Sequence, residues 1–291
     1  MRRTVNTVWA RMRILAALPV AAFAFAGTAS AQCINCTNEA PKQLLLDLID
    51  QTQSEYLTQS PQNLMMMENN PAYFVVDDGK ALFESKRGPK NATLEQCDFG
   101  KGPGVLEGAY AELPKYFEDA GRVMDLETRL VYCMKTLQGF ADDAPELTQM
   151  SDIRAIMAYV GAQSNGYAWN PSMDHPMEKA MRDAGEVMFY RRSGPMDFSC
   201  NTCHGETGQR IRASVLPNVN LPKEWTKAVS WPALRVSRSS NVRSPYQRLR
   251  GCYWQMRKGQ INRRSDAAIA MFSYWKDRAS GEPAILPDLK R

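Results

Sequence analysis

The sequence predicts a mainly α-helical protein of two small domains related by internal duplication. Three observations lead there. Gly79, Phe83, Gly88 and Cys97 recur as Gly185, Phe189, Gly194 and Cys203, all at one offset of 106 residues, and self-similarity at a fixed period marks a repeated structural unit. A second ordered set follows, in which Arg129-Leu130-x-x-Cys133 returns as Arg248-Leu249-x-x-Cys252 and Ser151-Asp152 as Ser265-Asp266. The segments themselves read as helices. Asp78 to Gly88 and Ala184 to Gly194 are each a short helix ending at glycine, Tyr246 to Lys258 is a helix carrying cysteine, and Asp152 and Asp266 are expected N-caps of a last amphipathic helix in each half.

The chain opens with a segment outside this repeat. Arg2, Arg3, Arg11 and Arg13 form a basic region, Ile14 to Gly27 is an apolar stretch too short for an ordinary membrane span, and Ala29-Ser30-Ala31 is a small-x-small cleavage site. Residues 1–31 are therefore expected to be a signal peptide. The residues after Arg2-Arg3 lack the rest of a twin-arginine pattern, and Gln32 before Cys33 argues against a lipid anchor. Export implies an oxidising compartment, most simply the bacterial periplasm. Without residues 1–31, which hold four arginines and no acid, the formal charge falls from +5 to +1. Nucleic acid or an anionic membrane calls for a large positive field, so neither is an expected partner. The remaining residues suit an N-terminal extension over 32–68, a first domain over 69–172 and a second over 173–291, all soluble.

The second domain carries the chemistry. In Ser199-Cys-Asn-Thr-Cys-His204-Gly205, Cys200 and Cys203 can form thioethers with the two vinyl groups of one haem while His204 supplies the proximal iron ligand. A zinc site needs a second ligand pair, and the chain has only two histidines. Each half is then expected to be a cytochrome-c-like domain, with one covalent haem c in the second. At the 106-residue offset Leu94 stands for Cys200 and Asp98 for His204, so the first domain is expected to keep the fold without a haem. Cys97 and Cys133 are left facing the vacated space, where oxidation to a disulfide is favoured over two separate buried thiols. Cys33 and Cys36 precede Thr37, where a haem site needs His, and read as a local disulfide or a partner contact.

Four residues are candidates for the iron face opposite His204: His175, Met256, Met271 and Cys252. His175 reads as a surface loop residue before a helix, and the two methionines as core filler on helices. Cys252 is the second-domain cysteine not used for thioethers. Arg248, one helical turn before it, favours an anionic sulfur and can dock an anion beside it; a solvated helix face is the other reading of Arg248.

The whole chain after residue 31 resembles the SoxA subunits of SoxAX cytochromes, in the form with one haem in this subunit. The resemblance rests on Gly185-x-x-x-Phe189-x-x-x-x-Gly194, Ser199-Cys-Asn-Thr-Cys-His204, Arg248-Leu-Arg-Gly-Cys252 and Gly121-Arg-Val-Met-Asp-Leu-Glu-x-Arg129-Leu-x-x-Cys133. It implies iron held by His204 and by Cys252 carried as persulfide, a disulfide between Cys97 and Cys133 in place of the lost haem, and Arg248 as active-site arginine. Arg278 is a second basic candidate on the last helix. The implied activity is that of an L-cysteine S-thiosulfotransferase. With a small SoxX-type cytochrome as heterodimer partner, it conjugates thiosulfate oxidatively to a cysteine of the SoxYZ carrier protein, and electrons leave to a c-type cytochrome. Thiosulfate dehydrogenase, a plain electron-transfer cytochrome and a scaffolding subunit are the rival readings.

Overall fold

Two helix crossings organise the protein, and each is set by a glycine. The computed structural model describes residues 70–211, 214–235 and 241–290; the expected signal peptide and the whole of the expected extension, with Cys33 and Cys36, lie outside the described residues. Helix α1 (Ala72–Glu84) buries Val76, Gly79 and Phe83 along one stripe and crosses α4 (Met150–Ala162). A Cβ on Gly79 would stand 1.9 Å from the Ala155 carbonyl oxygen. Helix α5 (Pro176–Tyr190) crosses α9 (Asp266–Asp277) in the same manner, and a Cβ on Gly185 would stand 2.0 Å from the Ala270 oxygen. Backbone thus meets backbone at both crossings, where any side chain would force the helices apart.

The helices before the cysteine regions are longer than the sequence pattern suggests and do not end on their glycines. They stop at Glu84 and Tyr190, and Gly88 (φ +69°) and Gly194 (φ +77°) serve the turns that follow. Those turns share left-handed Asn91 and Asp197 and the backbone bridges Arg87 to Ala92 and Ser193 to Phe198. Between them, α2 (Ala109–Glu112) leads into a hairpin of β1 (Lys115–Phe117) and β2 (Arg122–Met124) and then α3 (Leu126–Thr136), whose first turn is capped by the Asp125 carboxylate accepting from Thr128 N.

In the second half, α6 (Cys200–His204), the short pair β3 (Arg210–Ile211) and β4 (Ser214–Val215), and α7 (Pro222–Val229) precede a second hairpin. Strands β5 (Ala233–Arg235) and β6 (Asn241–Arg243) lead into α8 (Pro245–Gln255), and β7 (Asp288–Lys290) adds in parallel to β5, giving the order β6-β5-β7. Helix α8 ends three residues before the expected Lys258. Its cap is Ser244, whose hydroxyl accepts from Gln247 N while the Gln247 side chain accepts from Ser244 N.

The expected caps of the last helices are corrected. Helix α4 starts at Met150 after Gln149, which makes no side-chain cap, and Asp152 lies within the first turn, paired with Arg87 at 2.9 Å. Ser265, not Asp266, caps α9, its hydroxyl accepting from Ala268 N. Asp266 instead pairs with Arg122 at 2.7 Å. In both cases an ion pair with a distant arginine competes with the cap for the carboxylate.

Both halves contribute to one apolar core, from Phe83, Phe99 and Leu130 to Phe189, Trp225 and Tyr274. Two buried charged side chains tie them together. The Glu178 carboxylate accepts from Tyr116 N at 2.7 Å, His175 N at 3.0 Å and the Ser172 hydroxyl at 2.7 Å. Lys276 Nζ donates to the Tyr110 carbonyl at 2.6 Å and lies 3.5 Å from the Tyr110 ring centre, and burial holds its ammonium well below the usual lysine range. Among the described residues no helix is long and apolar enough to cross a membrane.

Candidate haem and sulfur site

A reciprocal cap fixes the turn that carries the pentad. Ser199 Oγ accepts from Thr202 N, and Thr202 Oγ1 accepts from Ser199 N at 3.0 Å. Cys200 and Cys203 are thereby placed three residues apart on one short helix, both as free thiols, with His204 closing it. The His204 Nδ1 lies 2.8 Å from the Pro217 carbonyl oxygen. A carbonyl only accepts, so Nδ1 carries the proton and Nε2 keeps the lone pair that a metal needs.

The ring stands edge-on to Trp225, with centroids 5.2 Å apart. Burial brings His204 down to about 4, the Arg248 guanidinium adding to the effect and the Pro217 hydrogen bond opposing it. The imidazole is neutral at neutral pH, as an iron ligand must be.

The loop that presents Pro217 is itself held. Val219 N donates to the His204 carbonyl, Asn218 N to Glu224 Oε2, and Asn218 Nδ2 to Thr207 Oγ1. Arg278 Nε donates to the Val219 carbonyl at 3.3 Å, so this candidate buttresses the loop on the His204 side. Sequence reasoning missed Pro217 and Trp225. A proline thirteen residues after the histidine, with no N–H and only a carbonyl to offer, was the available signal.

Helix α8 brings the remaining candidates to the same place. Burial first, then the neighbouring Cys252, push the Cys200 thiol up to about 12, and the same two causes raise Cys203. Cys252 is a free, half-buried thiol, and Arg248 stands one turn before it. Among the described residues the Arg248 guanidinium has no hydrogen-bond or ion-pair partner, so its charge is available to the site. Cys200, Cys203, His204, Cys252 and Arg248 therefore converge. His175 does not join them: it is the N-cap of α5, accepting from Met177 N, and stacks on Tyr116 at 3.7 Å. It is a packed residue rather than a loose surface one. Met256 and Met271 are buried in the core.

The matching place in the first half is filled. Cys97 and Cys133 form a disulfide with Cα atoms 5.7 Å apart. Leu94 is fully buried, and the Asp98 carboxylate accepts from Gly100 N and Gly102 N. Arg129, the counterpart of Arg248, is buried, donating to the Asp98 carbonyl at 2.6 Å and to both Asp119 carboxylate oxygens, with its guanidinium 4.0 Å from the Phe117 ring centre. The residues of the second half fit haem c: two free thiols on one turn, an imidazole with its outer nitrogen presented, and a further thiol beside them. Those of the first half do not.

Comparison with known proteins found one matching family and several similar chains. The family described as SoxA/TsdA, cytochrome c domain, matches residues 78–168. The L-cysteine S-thiosulfotransferase subunit SoxA of Hydrogenophilus thermoluteolus is 43% identical over 232 residues, covering 77% of this chain and 84% of the relative. A subunit of the same description from Hydrogenobacter thermophilus is 33% identical over 222 residues, covering 76% and 82%. The crystal structure of SoxXA from P. pantotrophus shares the fold with a TM-score of 0.65 at 23% identity, over 76% of this chain and 79% of the other.

Proposed function

The chain belongs to the SoxA family, the cytochrome c subunits of L-cysteine S-thiosulfotransferase, and on that footing we propose which of its residues perform the sulfur transfer. Cys200 and Cys203 would hold one haem c by thioethers, and His204 and Cys252 would be the residues that ligate its iron. The first half is a duplicated cytochrome domain that has lost its haem, divided from the second near residues 172 and 173. The mature protein works in the periplasm after removal of residues 1–31, paired with a SoxX-type small cytochrome.

In the reaction, the outer sulfur of thiosulfate bonds to the Cys252 sulfur with loss of two electrons, giving Cys252–S–S–SO3−. Arg248 holds the sulfonate, its planar fork matching two oxygens. The thiolate of the SoxYZ carrier then attacks the transferred sulfur, forming carrier–S–S–SO3− and releasing the Cys252 thiolate. Haem c, when bound, supplies the route by which the two electrons leave to a c-type cytochrome.

The observation that carries this reading is the convergence of three free thiols, His204 and a guanidinium without a partner among the described residues, while the matching cysteines of the first half are joined. Replacing Cys252 by Met tests it. Haem content should stay at one per chain by pyridine haemochrome assay, the potential should rise because a neutral thioether replaces an anionic sulfur, and conjugation of thiosulfate to the carrier should vanish. Conjugation at the normal rate would remove Cys252 from the mechanism.

A further inference from the structure

One peptide unit joins His204 to a carboxylate. The Pro217 carbonyl oxygen lies 2.8 Å from His204 Nδ1, and the N–H at the other end of that same peptide, on Asn218, donates to Glu224 Oε2 at 3.0 Å. The two hydrogen bonds are therefore in series, from the Glu224 carboxylate through the amide to the imidazole. The loop is held so that the series stays closed. Asn218 is buried, its Oδ1 accepts from Asn220 N at 2.9 Å, its Nδ2 donates to Thr207 Oγ1 at 3.2 Å, and its carbonyl accepts from Leu221 N at 3.2 Å.

The carboxylate is placed as firmly as the loop. Glu224 lies in the first turn of α7, and the two residues after it anchor that helix. Trp225, whose ring stands edge-on to His204, donates from Nε1 to the Trp275 carbonyl at 2.8 Å. Thr226 Oγ1 accepts from Trp169 Nε1 at 3.0 Å and donates to the Pro283 carbonyl at 2.8 Å. An acid in the first turn of a helix is favoured by the helix dipole alone. The dipole does not account for its target, which is the N–H of the peptide whose carbonyl holds the histidine. An amide held by an anion at its N–H is polarised, so its oxygen becomes a stronger acceptor. A stronger acceptor at Nδ1–H fixes the ring and makes Nε2 the better donor to a metal.

We propose that Glu224 is a positioning residue for the proximal haem ligand, acting on His204 through the Pro217–Asn218 peptide. Its charge makes the imidazole a stronger electron donor and so sets the haem potential lower than a neutral side chain at position 224 would, since hydrogen bonding behind an axial ligand is one of the levers on that potential. The proposal rests on His204 being an iron ligand, as argued above. It adds the residue that tunes this ligand from two hydrogen bonds away.

The test uses the haem-loaded heterodimer with the small cytochrome subunit, with isotope-labelled histidine in this chain alone. The haem of this chain is followed in a redox titration by its own electron paramagnetic resonance signal, identified as the one that Cys252→Met alters. Glu224→Gln keeps an acceptor of the same length and removes the charge. At the potential where wild type is half reduced, it should raise the ratio of reduced to oxidised haem by about twofold or more. The His204 Nδ1–H resonance, set apart from that of His175 by the iron, should move with it. Glu224→Ala, which removes acceptor and charge, should shift the ratio at least as far, and the same limit is read on it should Glu224→Gln fail to take up haem. Glu206 is an exposed acid two residues after His204, and Glu206→Gln, which removes a charge without touching the peptide, should shift the ratio by less than about twofold. A smaller shift in Glu224→Gln would overturn the proposal and leave Glu224 a brace for the loop. A shift as large in Glu206→Gln would overturn it too, by assigning the effect to the general field of nearby charge. Wild-type protein in which the iron shifts neither histidine ring would instead overturn His204 as a ligand, a separate failure.

Discussion

Arg129 and Arg248 hold the same place in the same kind of helix and have opposite fates, and the difference is written in their surroundings. Arg129 is buried against Phe117 and paired with the half-exposed Asp119; Arg248 has no partner among the described residues, acts electrostatically on His204 and stands one turn before Cys252. Arg248→Lys should keep the iron ligation spectrum but lose turnover about tenfold, or ~1.4 kcal/mol of transition-state stabilisation, because the charge stays and the two-point grip goes. Arg129→Lys should leave turnover unchanged and lower stability by about 2 kcal/mol. Steady-state assays with the carrier and thermal melts of both variants separate the two. The cysteines and His204 stood out in sequence as a candidate site because haem attachment calls for those residue types at that spacing. Pro217 did not, since a carbonyl acceptor is a property of position that local sequence can hide.

At the scale of elements, the repeat announced the helices but not their ends. The repeated glycines belong to crossings and turns, so helix ends inferred from them overran the true ends at Glu84 and Tyr190, and the aspartates expected as caps are paired instead with Arg87 and Arg122. The short hairpins before α3 and α8 were missed because strands of three residues carry almost no alternation to read. Glu178 joins the first hairpin to the start of α5, and its ionisation can be followed. Burial raises its carboxyl, but the hydrogen bonds from Tyr116, His175, Ser172 and Asp174 together outweigh this and hold it below the ordinary value. With the folded value depressed, the unfolded chain binds the extra proton in acid, so the contribution is full above the ordinary carboxylate range and is lost as pH falls through the folded value. Glu178→Gln should therefore cost ~2 kcal/mol at neutral pH and show a flatter decline of melting temperature below about pH 5 than wild type. Parallel declines would mean that Glu178 is not ionised in the fold.

For the whole molecule, the two halves are one core with two different centres: a disulfide in the first, and three free cysteines with His204 in the second. The disulfide joins residues 36 apart in sequence, which by loop closure stabilises the fold by ~3 to 4 kcal/mol. Replacing Cys97 and Cys133 by Ala should lower the melting temperature and leave haem content and turnover per folded chain unchanged; loss of haem would show that the first half helps to build the second site.

The central claim, that Cys252 is where thiosulfate is first bonded, is tested most directly by mass spectrometry of the haem-loaded protein. The protein is given thiosulfate labelled at its outer sulfur and oxidised cytochrome c, with no carrier present, and then digested without reductant. The label is predicted on the peptide containing Cys252, with haem on the peptide containing Cys200 and Cys203. Label on another residue, or none on Cys252 while the cytochrome is reduced, would contradict it.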